Sequence, residues 1–212
     1  MITETLYKNF IVGHSPYVLY QIIETDKNIA IYERSISHLH HEIETLIKSN
    51  THINVSGHAQ YILDCLQKDL SHYQIDNILN DIETLLSIFN RITQAQSFRL
   101  LLATINTNMC RRFHTDVNDL RMLCTYSGPG TLWLTEDNVN REALETCKDN
   151  ECIVKDESKI QQAPTGSVVI LKGAIYPQQG TKAIVHRSPT IEESGEKRLL
   201  LRIDTNEFLK FE

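Results

Sequence analysis

The sequence is poor in the features that mark several large protein classes. Its five cysteines (65, 110, 124, 147 and 152) form an odd set with no CxxC pair, which argues against a disulfide framework and against a thiolate zinc site. Lys and Arg total 21 against 27 Asp and Glu, a formal charge of −6, so no broad cationic surface is available to neutralise phosphates. Nucleic acid is therefore not expected as a partner. No run approaches the roughly 18 consecutive apolar residues of a membrane span, and Met1-Ile2-Thr3-Glu4 has neither the basic nor the apolar region of a secretory leader. The expectation is a cytoplasmic protein with no membrane partner. With only 8 Gly and 5 Pro, collagen-like and low-complexity readings drop out as well.

What is present is a globular chain with nine histidines. Its 212 residues suit one domain, and a 41% hydrophobic share suffices to bury a core. Two halves differ in texture. Between about residue 31 and residue 93 apolar residues recur at helical spacing, as Ile36, Leu39, Ile43, Leu46 and Ile47, then Ile62, Leu63, Leu66 and Leu70, then Ile75, Ile78, Leu79, Ile82, Leu85, Leu86 and Phe89. Ser56 is the expected N-cap of the second helix. From Phe98 onward short β-rich runs alternate with turn residues: Phe98–Ile105, Leu120–Tyr126, Thr131–Leu134, Ile153–Lys155, Ser167–Lys172, Ala183–Val185 and Leu199–Ile203. Ser127-Gly128-Pro129-Gly130 and Pro164-Thr165-Gly166 are the clearest turns. These patterns predict an α+β chain in which a mainly helical region, residues 1–95, packs on a β-sandwich, residues 96–212, as one unit.

Phe113-His114-Thr115-Asp116 is the first feature with chemical content. Residues two apart on an extended chain point to the same side, so His114 and Asp116 can offer an imidazole and a carboxylate to one ion. His186, in Ile184-Val185-His186-Arg187-Ser188, comes much later at the end of a β-type run. Two histidines and one carboxylate are the ligands of a facial triad, which leaves three positions of an Fe(II) ion open. Zinc accepts the same set, and the residues alone do not choose between the metals. Downstream, Lys197-Arg198-Leu199-Leu200-Leu201-Arg202-Ile203-Asp204 alternates so that Arg198, Leu200 and Arg202 share one face.

This order of elements resembles the double-stranded β-helix (jelly-roll, cupin-like) 2-oxoglutarate/Fe(II) dioxygenases. The resemblance implies iron held by His114, Asp116 and His186, and a basic residue beyond the distal histidine that anchors the far carboxylate of 2-oxoglutarate. Arg198, twelve residues after His186, fills that position, with Arg202 as the alternative. The implied activity is a hydroxylase-type oxidation of an unidentified substrate, an oxidoreductase whose partner is a small anionic cosubstrate. The other reading is a jelly-roll metal-binding protein, with zinc in the same triad, that serves metal handling without oxygenase activity. More narrowly, the run Cys110–Thr131 together with Val185-His186-Arg187-Ser188-Pro189 resembles a bacterial family of unknown function, the domain-of-unknown-function class numbered 1826. That resemblance covers the chain from its middle to its C-terminus and supplies no activity.

Other candidates have plainer explanations. His38, His41, Glu42 and Thr45 are expected on the solvated face of the first helix, with His38 and Glu42 able to hold a surface ion weakly. Thr125 and Tyr126 are candidates to contact the cosubstrate, Arg111 and Arg112 to hold an anionic substrate group, and Arg187 to serve at a rim. Trp133 is expected in the core and Cys124 as a buried, inert thiol beside Met122 and Tyr126.

Overall fold

The computed structural model describes residues 9–147, 149–177 and 182–205; Met1-Ile2-Thr3-Glu4 lies outside them. In chain order the elements are β1 (Phe10–Gly13), a 3-10 segment (Pro16–Ile23), β2 (Ile29–Tyr32), α1 (His40–Lys48), β3 (His52–Gly57), α2 (Ala59–Asp69), α3 (Asp76–Thr93), β4 (Phe98–Ile105), β5 (Leu120–Ser127), β6 (Leu132–Leu134), the single turns α4 (Ala143–Thr146) and α5 (Asn150–Ile153), β7 (Gln161–Gln162), β8 (Val168–Lys172), β9 (Val185–Arg187) and β10 (Arg198–Thr205). Among the described residues ten strands form two sheets, ordered β1-β2-β8-β5-β10-β4-β3 and β7-β6-β9. All pairs in the large sheet are antiparallel except β1 with β2.

Period-two alternation divides the large sheet into two apolar faces. On one, Leu100 and Leu102 of β4, Met122 and Cys124 of β5, Ile170 of β8 and Leu199 and Leu201 of β10 pack with Ile62, Leu66, Ile82 and Phe89 of α2 and α3. On the other, Leu101, Leu123, Val169 and Leu200 meet Trp133 of the small sheet, so a second core fills the space between the sheets. A third cluster, with Phe113, Leu134, Ile153 and Val185, closes the outside of the small sheet. Each fully buried aliphatic or Phe side chain contributes roughly 1.5–3 kcal/mol, so these three clusters hold the architecture.

Several expectations are corrected. Ile29–Tyr32 and His52–Gly57 are strands, and β3 pairs with β4 across residue 95, from His52↔Ala103 to Gly57↔Phe98. β3 was hidden because it is a short edge strand whose alternation rests on Ile53 and Val55 alone, both only half-buried against the helical core. Ser56 therefore lies in a strand, and α2 is capped by His58, whose Nδ1 accepts from Tyr61 N at 3.1 Å. Ile153–Lys155 is not a strand: Ile153 ends the turn α5, and the segment pairs through the isolated bridge Val139↔Val154. Glu42 is buried rather than solvated, because its carboxylate accepts from Asn77 N (3.3 Å) and Ile78 N (2.7 Å), the free donors at the start of α3. The exposed histidine–carboxylate pair on α1 is instead His40 Nε2 with Glu44 Oε1, at 3.2 Å. Cys147 and Cys152 form a disulfide, against the expectation drawn from the odd cysteine count. Cys124 is buried, and burial raises its thiol pKa to about 11.

Candidate metal centre

The centre is built on backbone pairing. His114 N donates to His186 O at 3.0 Å and His186 N donates to His114 O at 2.9 Å, an isolated antiparallel bridge that sets the two side chains on the same side. His186 is held in turn by β6, where it pairs with Trp133. The loop after His114 is pinned to the segment after β8: Ala174 N donates to Asp116 O at 2.8 Å and Gly173 N to Asp119 O at 2.8 Å. A Cβ on Gly173 would lie 2.1 Å from Asn118 O, so only glycine permits this approach.

Three donor groups converge as a result. Asp116 Oδ1 lies 3.6 Å from His114 Nε2, Asp116 Oδ2 lies 3.4 Å from His186 Nε2, and the ligand atoms of all three residues fall within 4.8 Å of one another. Each histidine turns its Nδ1 to a main-chain carbonyl, Arg112 O at 2.9 Å and Ile184 O at 3.4 Å. A carbonyl accepts only from N–H, so with Nδ1 as the donor each neutral ring would offer Nε2 as a lone pair to a metal at the shared point. Two imidazole nitrogens and one carboxylate suit Fe(II) or zinc, so the residues present fit a divalent metal.

The electrostatics agree with that geometry. Burial opposes the charged form of Asp116, yet the hydrogen bond to His114 and the nearby His186 and Arg121 outweigh it and hold the carboxyl at about 2. The Asp116 contact raises the pKa of His114, against its desolvation. His186 is fully buried, and desolvation lowers it to about 4, so it is neutral near pH 7. Arg121 was missed in the sequence. Its Nη1 donates to Asp116 Oδ2 at 2.6 Å and its Nε to Asp204 Oδ1 at 2.5 Å. The signal was available in the alternation, since Arg121 shares a face with Leu123 and Thr125, and Asp204 continues the Arg198, Leu200, Arg202 series.

A cavity of about 60 Å³ opens beside the triad, walled by His114, Arg121, His186, Arg198, Leu200 and Arg202. It has room for about four to six waters at about 10–15 Å³ each, the scale of a small polar molecule. Arg198 is 1% exposed; its Nη2 donates to Thr125 Oγ1 at 3.1 Å, its Nε has no partner among the described residues, and burial lowers its pKa to about 10. Gly128, at φ +80°, makes room for it: a Cβ there would lie 2.7 Å from Arg198 Cγ. Arg202 lies on the same wall, with Nε 3.2 Å from Asp204 Oδ2.

The remaining candidates are scattered. Thr125 reaches the cavity through Arg198, whereas Tyr126 faces the opposite side of β5 and donates to Asp81 Oδ2 at 2.7 Å. Adjacent strand residues point to opposite faces, so Thr125 and Tyr126 cannot both attend the site. Arg111 is exposed and donates to Glu192 Oε2 at 2.7 Å. Arg112 donates to the carbonyls of Cys147, at 2.7 Å through Nη2, and of Leu144, and borders a separate outer groove that also meets His114. Arg187 sits on the cavity wall with its guanidinium 5.1 Å over the Phe113 ring, and Trp133 is buried against Phe10. His38, His40 and His41 are exposed and stand apart from the triad.

Among curated proteins none matches this sequence. Among solved structures, the chain is similar to AtDAO1, dioxygenase for auxin oxidation 1 from Arabidopsis thaliana, in a binary complex with 2-oxoglutarate: 9% identity, TM-score 0.52, 93% of this chain and 92% of that one. A Pseudomonas putida prolyl-4-hydroxylase matches at 10% identity and TM-score 0.47, over 89% of this chain and 96% of that one. At such identity the first of these shows a shared fold. No helix among the described residues is long and apolar enough to cross a membrane. The family model described as protein of unknown function (DUF1826) matches residues 13–204, and the chain belongs to that family.

Proposed function

We propose that this protein is a non-haem Fe(II)- and 2-oxoglutarate-dependent oxygenase on a double-stranded β-helix, or jelly-roll, whose two sheets enclose the site. The observation that carries this reading is Arg198. A guanidinium has five donors and remains charged, yet this one is buried with a neutral hydroxyl as its single hydrogen-bond partner and no carboxylate among the described residues. Leaving such a charge unpaired costs several kcal/mol, which is justified where a ligand carboxylate supplies the partner. A zinc-only module would have no use for it.

In this reading His114, Asp116 and His186 hold the metal, and Arg198 with Thr125 holds the distal carboxylate of the cosubstrate. When bound, Fe(II) and 2-oxoglutarate would supply the oxidation chemistry, one atom of O₂ entering the succinate formed with loss of CO₂ and the other the oxidised substrate. Arg121 keeps Asp116 ionised and aimed. The Nδ1 contacts to Arg112 O and Ile184 O keep both rings in the metal-binding tautomer. The apolar core around Trp133, Leu123 and Leu200 excludes water between the sheets.

Anaerobic Fe(II) with 2-oxoglutarate should produce a weak visible charge-transfer band, absent in His114→Ala. Arg198→Ala should retain the metal and lose 2-oxoglutarate binding. Correctly folded protein that gives no band and binds no 2-oxoglutarate would sink the proposal.

A further inference from the structure

His114 borders two cavities, and only the inner one contains Arg198. The outer one is an open groove of about 510 Å³, within the range of about 300–1,000 Å³ typical of small-molecule sites. Its wall includes Arg112, Arg141, Lys182, Thr115, Leu144 and Ala183. The charges there do not cancel. Arg112 gives its hydrogen bonds to the uncharged carbonyls of Cys147 and Leu144. Arg141, through Nη2 at 2.5 Å, and Lys182, through Nζ at 2.9 Å, converge on one carboxylate, Glu136. Glu145 is the acidic residue of the lining itself, so three cations face two carboxylates in a chain whose overall charge is −6.

Two exposed aliphatic residues adjoin lining residues of the groove along the chain, Val117 two positions after Thr115 and Ile175 next to Ala174. Val117 and Ile175 are 68% and 46% exposed. Their backbones run together, with Ala174 N donating to Asp116 O at 2.8 Å and Ile175 N to Asn118 O at 3.2 Å. Val117 is thus fixed by neighbours that carry a metal-ligand candidate on one side and the groove residue Ala174 on the other. Neighbouring exposed aliphatic side chains at the edge of a pocket can extend its contact surface for a ligand.

We infer that this outer groove receives the substrate to be oxidised, and that the substrate is a small organic carboxylate with an apolar body. Its anionic group pairs with Arg112 and Lys182, and its apolar part lies against Leu144, Ala183 and the Val117–Ile175 lip. This inference rests on the oxygenase reading of the same site. It assigns Arg112 and Lys182 as specificity residues, with Glu136 shared between Arg141 and Lys182.

The test is calorimetric titration of the Zn(II)-loaded full chain with 4-phenylbutyrate and with its uncharged amide. The acid should bind at least tenfold more tightly than the amide, and Lys182→Gln or Arg112→Gln should cut that preference to about threefold or less. Lys182 is largely exposed, so its variant folds even if loss of the Arg112 carbonyl contacts does not permit folding. The preference should persist in Arg198→Ala, which separates this groove from the inner cavity. Equal affinity for acid and amide, no binding of either, a preference unchanged in Lys182→Gln, or a preference lost in Arg198→Ala would each overturn the inference. If that happens while 2-oxoglutarate still binds in an Arg198-dependent way, the groove assignment falls and the oxygenase reading stands. If wild-type protein binds no 2-oxoglutarate, both fall.

Discussion

Asp116 and Arg121 are joined at 2.6 Å from Oδ2 to Nη1, and Arg121 is itself fixed by Asp204 at 2.5 Å. The metal-ligand candidate is therefore the end of a charge chain, carboxylate to guanidinium to carboxylate, that crosses from β5 to β10 at the register pair Arg121↔Asp204. Arg121→Gln removes the charge that helps depress the Asp116 pKa and the bond that aims its oxygen. Outer-sphere partners of this kind are worth about 10–100-fold in metal affinity. Zn(II) competition titrations should show a loss in that range with near-native circular dichroism; a change under twofold would mean that Asp116 is oriented by its backbone alone.

Arg198→Lys separates charge from shape. The lysine keeps a cation in the cavity, but it cannot form the paired, planar contact a carboxylate accepts from guanidinium. We expect 2-oxoglutarate to bind at least tenfold more weakly than to wild type, about 1.4 kcal/mol, with Zn(II) affinity unchanged. Thr125→Val removes the one hydroxyl on Arg198 and should weaken 2-oxoglutarate several-fold. Full binding in Arg198→Lys would show that a point charge suffices.

The metal-free protein should lose stability in two acid steps. Burial holds the folded pKa of His186 at about 4, below the ordinary 6.5, so between these pH values the unfolded chain binds the extra proton and stability falls as pH is lowered. The window holds on the order of 3 kcal/mol at about 1.4 kcal/mol per unit. His114 acts in the opposite sense: its raised folded pKa contributes stability below 6.5 that is lost as pH rises through the folded value. Asp116, at about 2 against 3.8, contributes stability above 3.8 that is lost between 3.8 and 2. Urea midpoints in EDTA from pH 7 to 4 should therefore drop in wild type and stay flat or rise in His186→Gln. Identical slopes in the two proteins would refute the assignment.

The disulfide is tied to the metal-binding segment. Cys147 O receives the Arg112 guanidinium, while Asn150 Oδ1 accepts from Phe113 N at 2.8 Å and Asn150 Nδ2 donates to Arg111 O at 2.9 Å. These contacts brace the three residues before His114. Closing a loop this short is worth about 2 kcal/mol in the chain-entropy picture, or about 4–8 °C in Tm for a protein of this size. Cys147→Ser with Cys152→Ser should show that drop and a several-fold weaker hold on Zn(II). A lower Tm with unchanged metal affinity would confine the disulfide to stability.

Legibility in the sequence followed the strength of periodicity. The apolar stripe of α3 and the alternation of β5 and β10 were readable because one face of each is a continuous core, and the latter placed Arg198, Leu200 and Arg202 on one wall before any coordinates. The edge strand β3 was not readable, since only Ile53 and Val55 carry its alternation and neither is fully buried. Nor was the His114↔His186 bridge, because a single pair between distant segments leaves no local pattern. Tyr126 was misplaced by neighbouring Thr125 in number while strand geometry set it on the other side, against Asp81. The Cys147–Cys152 link was obscured by three further cysteines that remain free.

The histidine-rich stretch His38–Glu44 makes the final prediction, because its conspicuous residues are inert and its plain one is structural. His38, His40 and His41 are exposed, and replacing all three by Gln should leave stability within about 0.5 kcal/mol, as surface changes usually do, and Zn(II) affinity at the triad untouched. Glu42, in contrast, accepts three hydrogen bonds from Asn77 and Ile78 and caps α3, where Ile75 offers no side-chain acceptor. Glu42→Ala leaves the buried Ile78 N–H unpaired, a cost of about 1–3 kcal/mol. Glu42→Gln keeps the shape and one acceptor and should recover part of it. Chemical denaturation of the four proteins decides: a triple-Gln variant as unstable as Glu42→Ala would mean that the histidine face is buried against something, and that α1 is not held to α3 by this carboxylate.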